Sequence, residues 1–235
     1  MSGADGSILR PPKLPSLRAQ VVLWNTALDQ IWRLMWGLVA AAQRAREAGS
    51  IASLDLAFGD CSDTALTDGD VKDLQEHGIA AGLSGLTYEF FGRNLGHSGG
   101  QNRLADGAIA DVLVFINPDT YPAPTMISKL AAALKDPRTG IAEARQIPFE
   151  HPKAFNPSTG ETSWASGCCM AIPRRVFEEV AGFAPDFFPM HCDDVDLSWR
   201  VKAAGYRLVH VPAATVFHHK RLETNGYPAT SPAEV

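Results

Sequence analysis

Along the chain, apolar residues fall into short runs and helix-periodic stretches separated by turns rich in Gly, Pro, Asn and Asp. Val21-Val22-Leu23-Trp24 reads as a short buried strand, and Asn25-Thr26 as the cap of a helix over Ala27–Glu47 that stops at Gly49. A second strand spans Ile51–Phe58 and closes in the polar turn Gly59-Asp60-Cys61-Ser62-Asp63; a short helix follows over Asp70–His77 and ends at Gly78. Leu86–Phe91 is a third strand, Gly92 to Asn102 a glycine-dense turn, and Arg103–Ala110 a helix. The most hydrophobic strand, Asp111–Ile116, leads into Asn117-Pro118-Asp119-Thr120, and Pro122 and Pro124 open a helix that runs to Leu134.

This alternation predicts an α/β fold, with a Rossmann-like, mostly parallel central sheet and helices on both faces. Ligands of such sheets bind beyond the carboxyl ends of the strands. Asn25, Asp60, Asn94 and Asp119 each follow a predicted strand, so they are expected to converge on one rim. The second half is less regular. Arg145–Trp164 is broken by prolines and polar turns, with a hairpin around Ser158-Thr159-Gly160. Ala165–Ile172 reads as a strand, Arg174–Val180 as a helix ending at Gly182, and Asp194–Ala204 as a helix stopping at Gly205. Tyr206–Val211 and Thr215–His218 read as two short strands. With no internal repeat or low-complexity linker, one domain is expected over 21–220, its nucleotide-binding half 21–120 and its acceptor-side half 121–220. Residues 1–20 are expected to be a flexible lead-in and 221–235 a tail.

Composition narrows the function. A chain of 235 residues that is 46% hydrophobic can bury a substantial core. Its formal net charge of -5, with no basic stripe, speaks against nucleic acid as a partner. Cys61, Cys168, Cys169 and Cys192 lack zinc spacing and are expected to be reduced thiols of a cytoplasmic protein. No secretory signal opens the chain, and the apolar run Ile31–Ala42 is interrupted by Arg33 and too short to cross a bilayer. Trp32 and Trp36 on that run are expected to pack in the core, with contact to a membrane surface as the alternative.

The chemistry concentrates late in the chain. Asp193, Asp194 and Asp196 crowd three carboxylates into four positions, which is costly unless a cation or a substrate proton compensates. One of Asp193 and Asp194 can cap the following helix, leaving the other as a base. Asp196 fits helix structure, as a first-turn acid paired with Arg200. Asp119 reads either as a helix cap or as a ligand for metal or phosphate, and His218 can join it on a hard ion such as Mn²⁺. The glycines from Gly92 to Gly100 do not follow GxGxxG; they serve a tight turn or a close approach to a pyrophosphate.

At these residues the chain resembles the family 2 glycosyltransferases of GT-A fold, in particular bacterial rhamnosyltransferase-like and galactofuranosyltransferase-like members. The matching runs are Val21 to Asn25, Gly59-Asp60-Cys61-Ser62, Asn94-Leu95-Gly96 through Gly99-Gly100-Gln101-Asn102, and Phe115-Ile116-Asn117-Pro118-Asp119-Thr120. They continue in Trp164 to Met170, in Asp193-Asp194-Val195-Asp196-Leu197-Ser198-Trp199-Arg200, and in Val216-Phe217-His218-His219. The resemblance implies that Asp194 deprotonates the acceptor hydroxyl, that Asp193 orients it or binds the acceptor, and that Asp119 and His218 hold Mn²⁺ or Mg²⁺. It implies a nucleotide-diphosphate sugar as donor, UDP- or dTDP-linked, met by Asn25, Asp60, Arg93, Asn94, Asn102, Asn117 and Asp119. Asn117 replaces the first acid of the family's DxD motif, and Cys61 stands where an asparagine is common.

The implied reaction is inverting transfer to a hydroxyl of a glycan or lipid-linked acceptor, in cell-envelope polysaccharide synthesis. The expected place is the cytoplasm, at the inner face of the membrane if the protein associates with it peripherally; oligomerisation is left open. The chain ends soon after His219, so C-terminal helices that many members use for acceptors are expected to be absent or supplied by a partner. The alternatives are a catalytically inactive nucleotide-sugar-binding or scaffold protein, and a sugar nucleotidyltransferase.

Overall fold

β1 (Ser16–Leu23) pairs in parallel with β2 (Ser53–Asp60) on one side and β4 (Val112–Ile116) on the other, and β3 (Gly85–Phe90) extends the sheet beyond β2. The computed structural model describes residues 13–219; the first part of the expected lead-in and the tail, with Lys220 and Arg221, lie outside the described residues. Beyond β4 the sheet changes sense. β7 (Cys169–Pro173) runs antiparallel to both β4 and β6 (Thr139–Ile147). β8 (Arg207–His218) is parallel to β6 and antiparallel to the short edge strand β5 (Thr120–Pro122). The described residues thus form one eight-stranded sheet, ordered β3-β2-β1-β4-β7-β6-β8-β5.

β4 shows why the sheet is covered on both faces. Val112, Val114 and Ile116 join a core with α1 (Leu28–Glu47), α2 (Asp68–Ala80) and α4 (Met126–Ala133). Leu113 and Phe115 point the other way, into a second core with α5 (Arg174–Glu179) and α6 (Asp193–Ala203). A strand buried on both faces reads as a continuous apolar run, as Val112–Ile116 does.

Several boundaries differ from the sequence reading. β1 begins at Ser16, inside the expected lead-in, because Leu17 and Ala19 alternate into the core behind half-exposed Ser16 and Arg18. The N-cap of α1 is Ala27, with no side-chain cap; Thr26 Oγ1 instead accepts from Trp24 N at 3.2 Å. Trp36 is exposed and stacks on Trp32 at 6.2 Å beside the buried stripe, which runs through Ile31, Leu34, Leu38 and Ala41. β6 was hidden by its buried polar residues, Glu143 and Gln146. The two short C-terminal strands are one strand, β8, with an irregularity opposite Ala144 and Arg145. Among the described residues no helix is long and apolar enough to cross a membrane.

The glycine-dense segment is mostly helix, α3 (Gly96–Ala105), where a turn had been expected up to Asn102. Its glycines permit close packing. A Cβ on Gly100 would lie 2.7 Å from Val22 Cγ2, and one on Gly96, at φ +68°, would lie 2.4 Å from the Pro189 carbonyl oxygen. At Gly96 the neighbour is backbone, which cannot swing aside as a side chain can. Gly96→Ala combines a left-handed conformation with overpacking and should destabilise the protein by about 2–4 kcal/mol, read as a lower urea midpoint at unchanged m-value.

Candidate active site

The antiparallel pairing of β5 with β8 sets Thr120 opposite His218 and carries Asp119, one residue before β5, to the same corner. His219 N donates to the Asp119 carbonyl at 2.8 Å. His218 Nε2 then lies 3.1 Å from Asp119 Oδ2. On the other side of the ring, Nδ1 is 2.9 Å from Gln146 Oε1 and 3.3 Å from Cys168 Sγ. An amide oxygen only accepts, so this contact places a proton on Nδ1 and leaves the Nε2 lone pair facing Asp119 when the ring is neutral. A carboxylate oxygen and an imidazole nitrogen directed at one point, with the imidazole oriented from behind, suit a hard or borderline divalent ion. Among the described residues no cluster of three or more His, Cys, Asp or Glu side chains could hold a metal. An ion at Asp119 and His218 would therefore draw its remaining ligands from water or a bound phosphate.

The second element is the start of α6. His191 and Cys192 both adopt left-handed backbone, at φ 61° and 59°, and turn the chain into the helix. Asp193 is 5% exposed; its Oδ2 lies 2.6 Å from His97 Nδ1 and accepts from Ser98 Oγ at 3.2 Å. Asp194 Oδ2 accepts from Gly167 N and Oδ1 from Val195 N, both at 2.8 Å. Burial pushes the Asp194 carboxyl above the ordinary aspartate range; the Asp193 charge adds to this, while the two backbone N–H groups and His97 oppose it. Asp196 is structural, as expected. It takes Arg200 Nε at 2.9 Å and Nη2 at 2.6 Å, and that guanidinium also donates to the Val180 and Gly182 carbonyls.

Ser166-Gly167-Cys168 joins the two elements. Gly167 N holds Asp194; the Cys168 carbonyl accepts from Asn117 N at 2.9 Å, and Cys168 Sγ touches His218. The segment is itself anchored from below. Fully buried Glu143 on β6 accepts from Ser166 N at 2.6 Å, ion-pairs with Lys153, and faces His210 Nδ1 at 3.2 Å. Lys153 also donates to the Trp164 carbonyl at 3.2 Å and sits 4.3 Å from the centroid of the Trp164 ring.

The other expected site residues are placed unequally. Asn25, Arg93 and Asn94 are exposed beyond strand ends; Asn25 sits at φ 49° with its N–H on Ser62 Oγ, and Asn94 Oδ1 accepts from Gly96 N at 2.8 Å. Asn117 is half-buried two residues before Asp119, and its carbonyl accepts from the Thr120 hydroxyl at 2.7 Å. Asp60 is enclosed, at 2% exposure: Ser62 N and Tyr88 Oη, at 2.9 and 2.6 Å, occupy both carboxylate oxygens. Asn102 binds the Phe183 backbone through both ends of its amide, at 2.9 Å each, so it ties α3 to the segment before α6. Asp60 and Asn102 thus hold local structure here and do not stand open on the rim. Sequence reasoning missed Gln146, Glu143, Lys153 and His97. His97 alone had a signal, a titratable residue inside a glycine-dense segment; Glu143 and Gln146 act through the pairing of β6 with strands remote in sequence, and Lys153 reaches Glu143 from the loop after β6.

Residues 60–197, more than half of the chain, match the family model "Glycosyl transferase family 2". The chain belongs to glycosyl transferase family 2. It is 30% identical over 186 aligned residues to the N-acetylglucosaminyl-diphospho-decaprenol L-rhamnosyltransferase of Mycobacterium tuberculosis, a match covering 59% of this chain and 60% of that protein. Two solved structures share the fold of this family 2 member. One is a mannosyltransferase from Pyrobaculum calidifontis in complex with GDP-Man and Mn²⁺, at TM-score 0.68 and 18% identity, covering 92% of this chain and 59% of that one. The other is GalNAc-T7 with UDP, GalNAc and Mn²⁺, at TM-score 0.70 and 17% identity, covering 94% and 46%. The mixed sheet flanked by helices is accordingly a GT-A-like architecture.

The anchor under Ser166 can be tested directly. Glu143→Gln leaves Lys153 buried without its counter-charge and should destabilise the protein by about 3–5 kcal/mol. Adding Lys153→Met should recover more than half of that loss, both effects being measured by urea denaturation.

Proposed function

We propose that this family 2 member is an inverting, divalent-metal-dependent glycosyltransferase. It would move a sugar from a UDP- or dTDP-sugar to a hydroxyl of a glycan or lipid-linked acceptor. The observation that carries the reading is the Ser166–Cys168 bridge: one three-residue segment touches both the half-buried carboxylate of Asp194 and the Asp119–His218 pair. Transfer needs a base on the acceptor side and charge neutralisation on the leaving diphosphate, held at a fixed separation.

Asp194 takes the acceptor proton as that oxygen attacks the anomeric carbon from the face opposite the nucleotide. Gly167 N–H and Val195 N–H each hold one carboxylate oxygen, which fixes the plane of the group and leaves its remaining lone pairs for the incoming hydroxyl. Asp119 and His218 would hold Mn²⁺ or Mg²⁺, which supplies charge stabilisation to the diphosphate when bound. Gln146 keeps the His218 ring turned so that Nε2 faces that position. Asn117, Asn94 and Arg93, at the ends of β4 and β3, are the groups in reach of the donor. A nucleotide sugar with Mn²⁺ is what the two similar solved structures carry or carry in part, and the tuberculosis relative's name supports a lipid-diphosphate acceptor.

The test is a screen of UDP- and dTDP-sugars with Mn²⁺ or Mg²⁺, following nucleotide release with and without glycan or lipid-diphosphate acceptors. Asp194→Asn should lower kcat by about 10²–10⁴-fold while donor affinity stays within about twofold. A base must be ionised to act, so kcat/KM should fall as pH drops through the raised Asp194 pKa, above the ordinary aspartate range. Full transfer by Asp194→Asn would remove the base assignment. His218→Ala should weaken metal-dependent donor binding by about 10–100-fold in calorimetry; unchanged metal dependence would remove the ligand assignment.

A further inference from the structure

Asp193 is buried and the adjacent Asp194 half-buried, and the two would repel if both carried full charge. What separates their roles comes from α3. The His97 ring has its Nδ1 2.6 Å from Asp193 Oδ2, and its side chain is 18% exposed against 7% for the acid. Its Cε1 lies 3.5 Å from where a Cβ on Gly167 would sit, so the imidazole stands beside the residue whose N–H holds Asp194. The ring meets Phe183 edge-on at 5.6 Å, which fixes its plane. One turn along α3, fully buried Gln101 places its amide nitrogen 3.3 Å from His97 Nε2 while its Oε1 has no hydrogen-bond partner. A glutamine buried with one end of its amide unpaired, and the other end on an imidazole, is explained by what it does to that imidazole. Donating to Nε2, it leaves the ring proton on Nδ1, facing Asp193.

We propose that His97 is a positioning residue for the Asp194 base: held between Gln101 and Asp193, its Nδ1–H satisfies the Asp193 carboxylate, so that the acidic pair presents a single free base to the acceptor. The proposal rests on the transferase reading and adds a residue to it. The titratable groups that bear on Asp194 are Asp193 from its own helix, which raises its pKa, and His97 from α3, which lowers it. Removing the imidazole therefore takes away the Nδ1–H held against Asp193, and the Asp193 carboxylate then acts on Asp194 without that hydrogen bond.

The experiment compares His97→Phe and His97→Asn with the wild-type protein in a pH series of kcat/KM. Phe keeps a ring against Phe183 but offers no N–H; Asn offers an N–H near the Nδ1 position. For His97→Phe the acid limb should move up by about one pH unit and kcat fall by about 10–100-fold, with donor KM within about twofold. His97→Asn should return kcat to within about tenfold of wild type. A folded His97→Phe with wild-type kcat and an unmoved acid limb overturns the proposal, since a purely structural histidine would alter the melting temperature and leave the limb in place. If the wild-type protein transfers no sugar, the transferase reading fails separately, and His97 is read by imidazole nitrogen spectra assigned with His97→Asn. Asp193→Asn should then shift the Nδ1 resonance of His97, and a resonance that does not move overturns the proposal without any turnover.

Discussion

Glu143 sits in the middle of the sheet with no solvent exposure, and its charge is tolerated because every approach to its two oxygens brings a hydrogen-bond donor or a positive charge. Lys153 and Ser166 N meet one oxygen and His210 the other. Breaking one partner of such a cluster strands the rest in a medium where an unpaired charge is expensive. The backbone N–H of Ser166 is the part of this arrangement that reaches the site. It fixes the start of a three-residue segment whose next N–H holds Asp194 and whose following carbonyl holds Asn117. The proposed base and metal pair are thus referenced to the same buried anion, although their residues lie far apart in sequence.

The Rossmann-like half was legible because its strands are apolar runs and its turns end in the residues that line a rim. Val112–Ile116 could be read from composition alone, since both of its faces are buried. The second half was not, and for a specific reason. β6 carries Glu143 and Gln146 inward, so a buried strand looks polar, and the pattern of alternation that identifies strands is broken by the two residues that organise the site. The helical glycines of α3 misled in the opposite sense: they look like turn formers but serve contacts with Val22 and Pro189.

The same contrast runs through the site residues. Asp119, His218 and Asp194 were named from the sequence, and the structure brings Asp119 and His218 within 3.1 Å and ties Asp194 to the residue before Cys168. Asp60 and Asn102 were named by the same resemblance, yet both spend their polar atoms on neighbouring structure. A motif marks a position in the fold; whether its side chain stands open there depends on partners such as Tyr88 and Phe183, which lie tens of residues away in sequence.

Asp194 carries the tension between stability and chemistry. Its folded-state pKa is raised above the unfolded value, so the folded form holds its proton more tightly. The sign follows: between the two pKa values the native state binds more protons than the unfolded chain, and stability falls as pH rises through that window. At neutral pH the ionised carboxylate therefore lowers the stability of the fold, the cost that goes with the proposed role as a base. Gly167, Val195 and His97 each offset part of that penalty without removing it, and full compensation would lower the carboxylate's basicity along with its cost. The short Ser166–Cys168 segment, pinned to a buried ion pair, is what holds this desolvated carboxylate in one place.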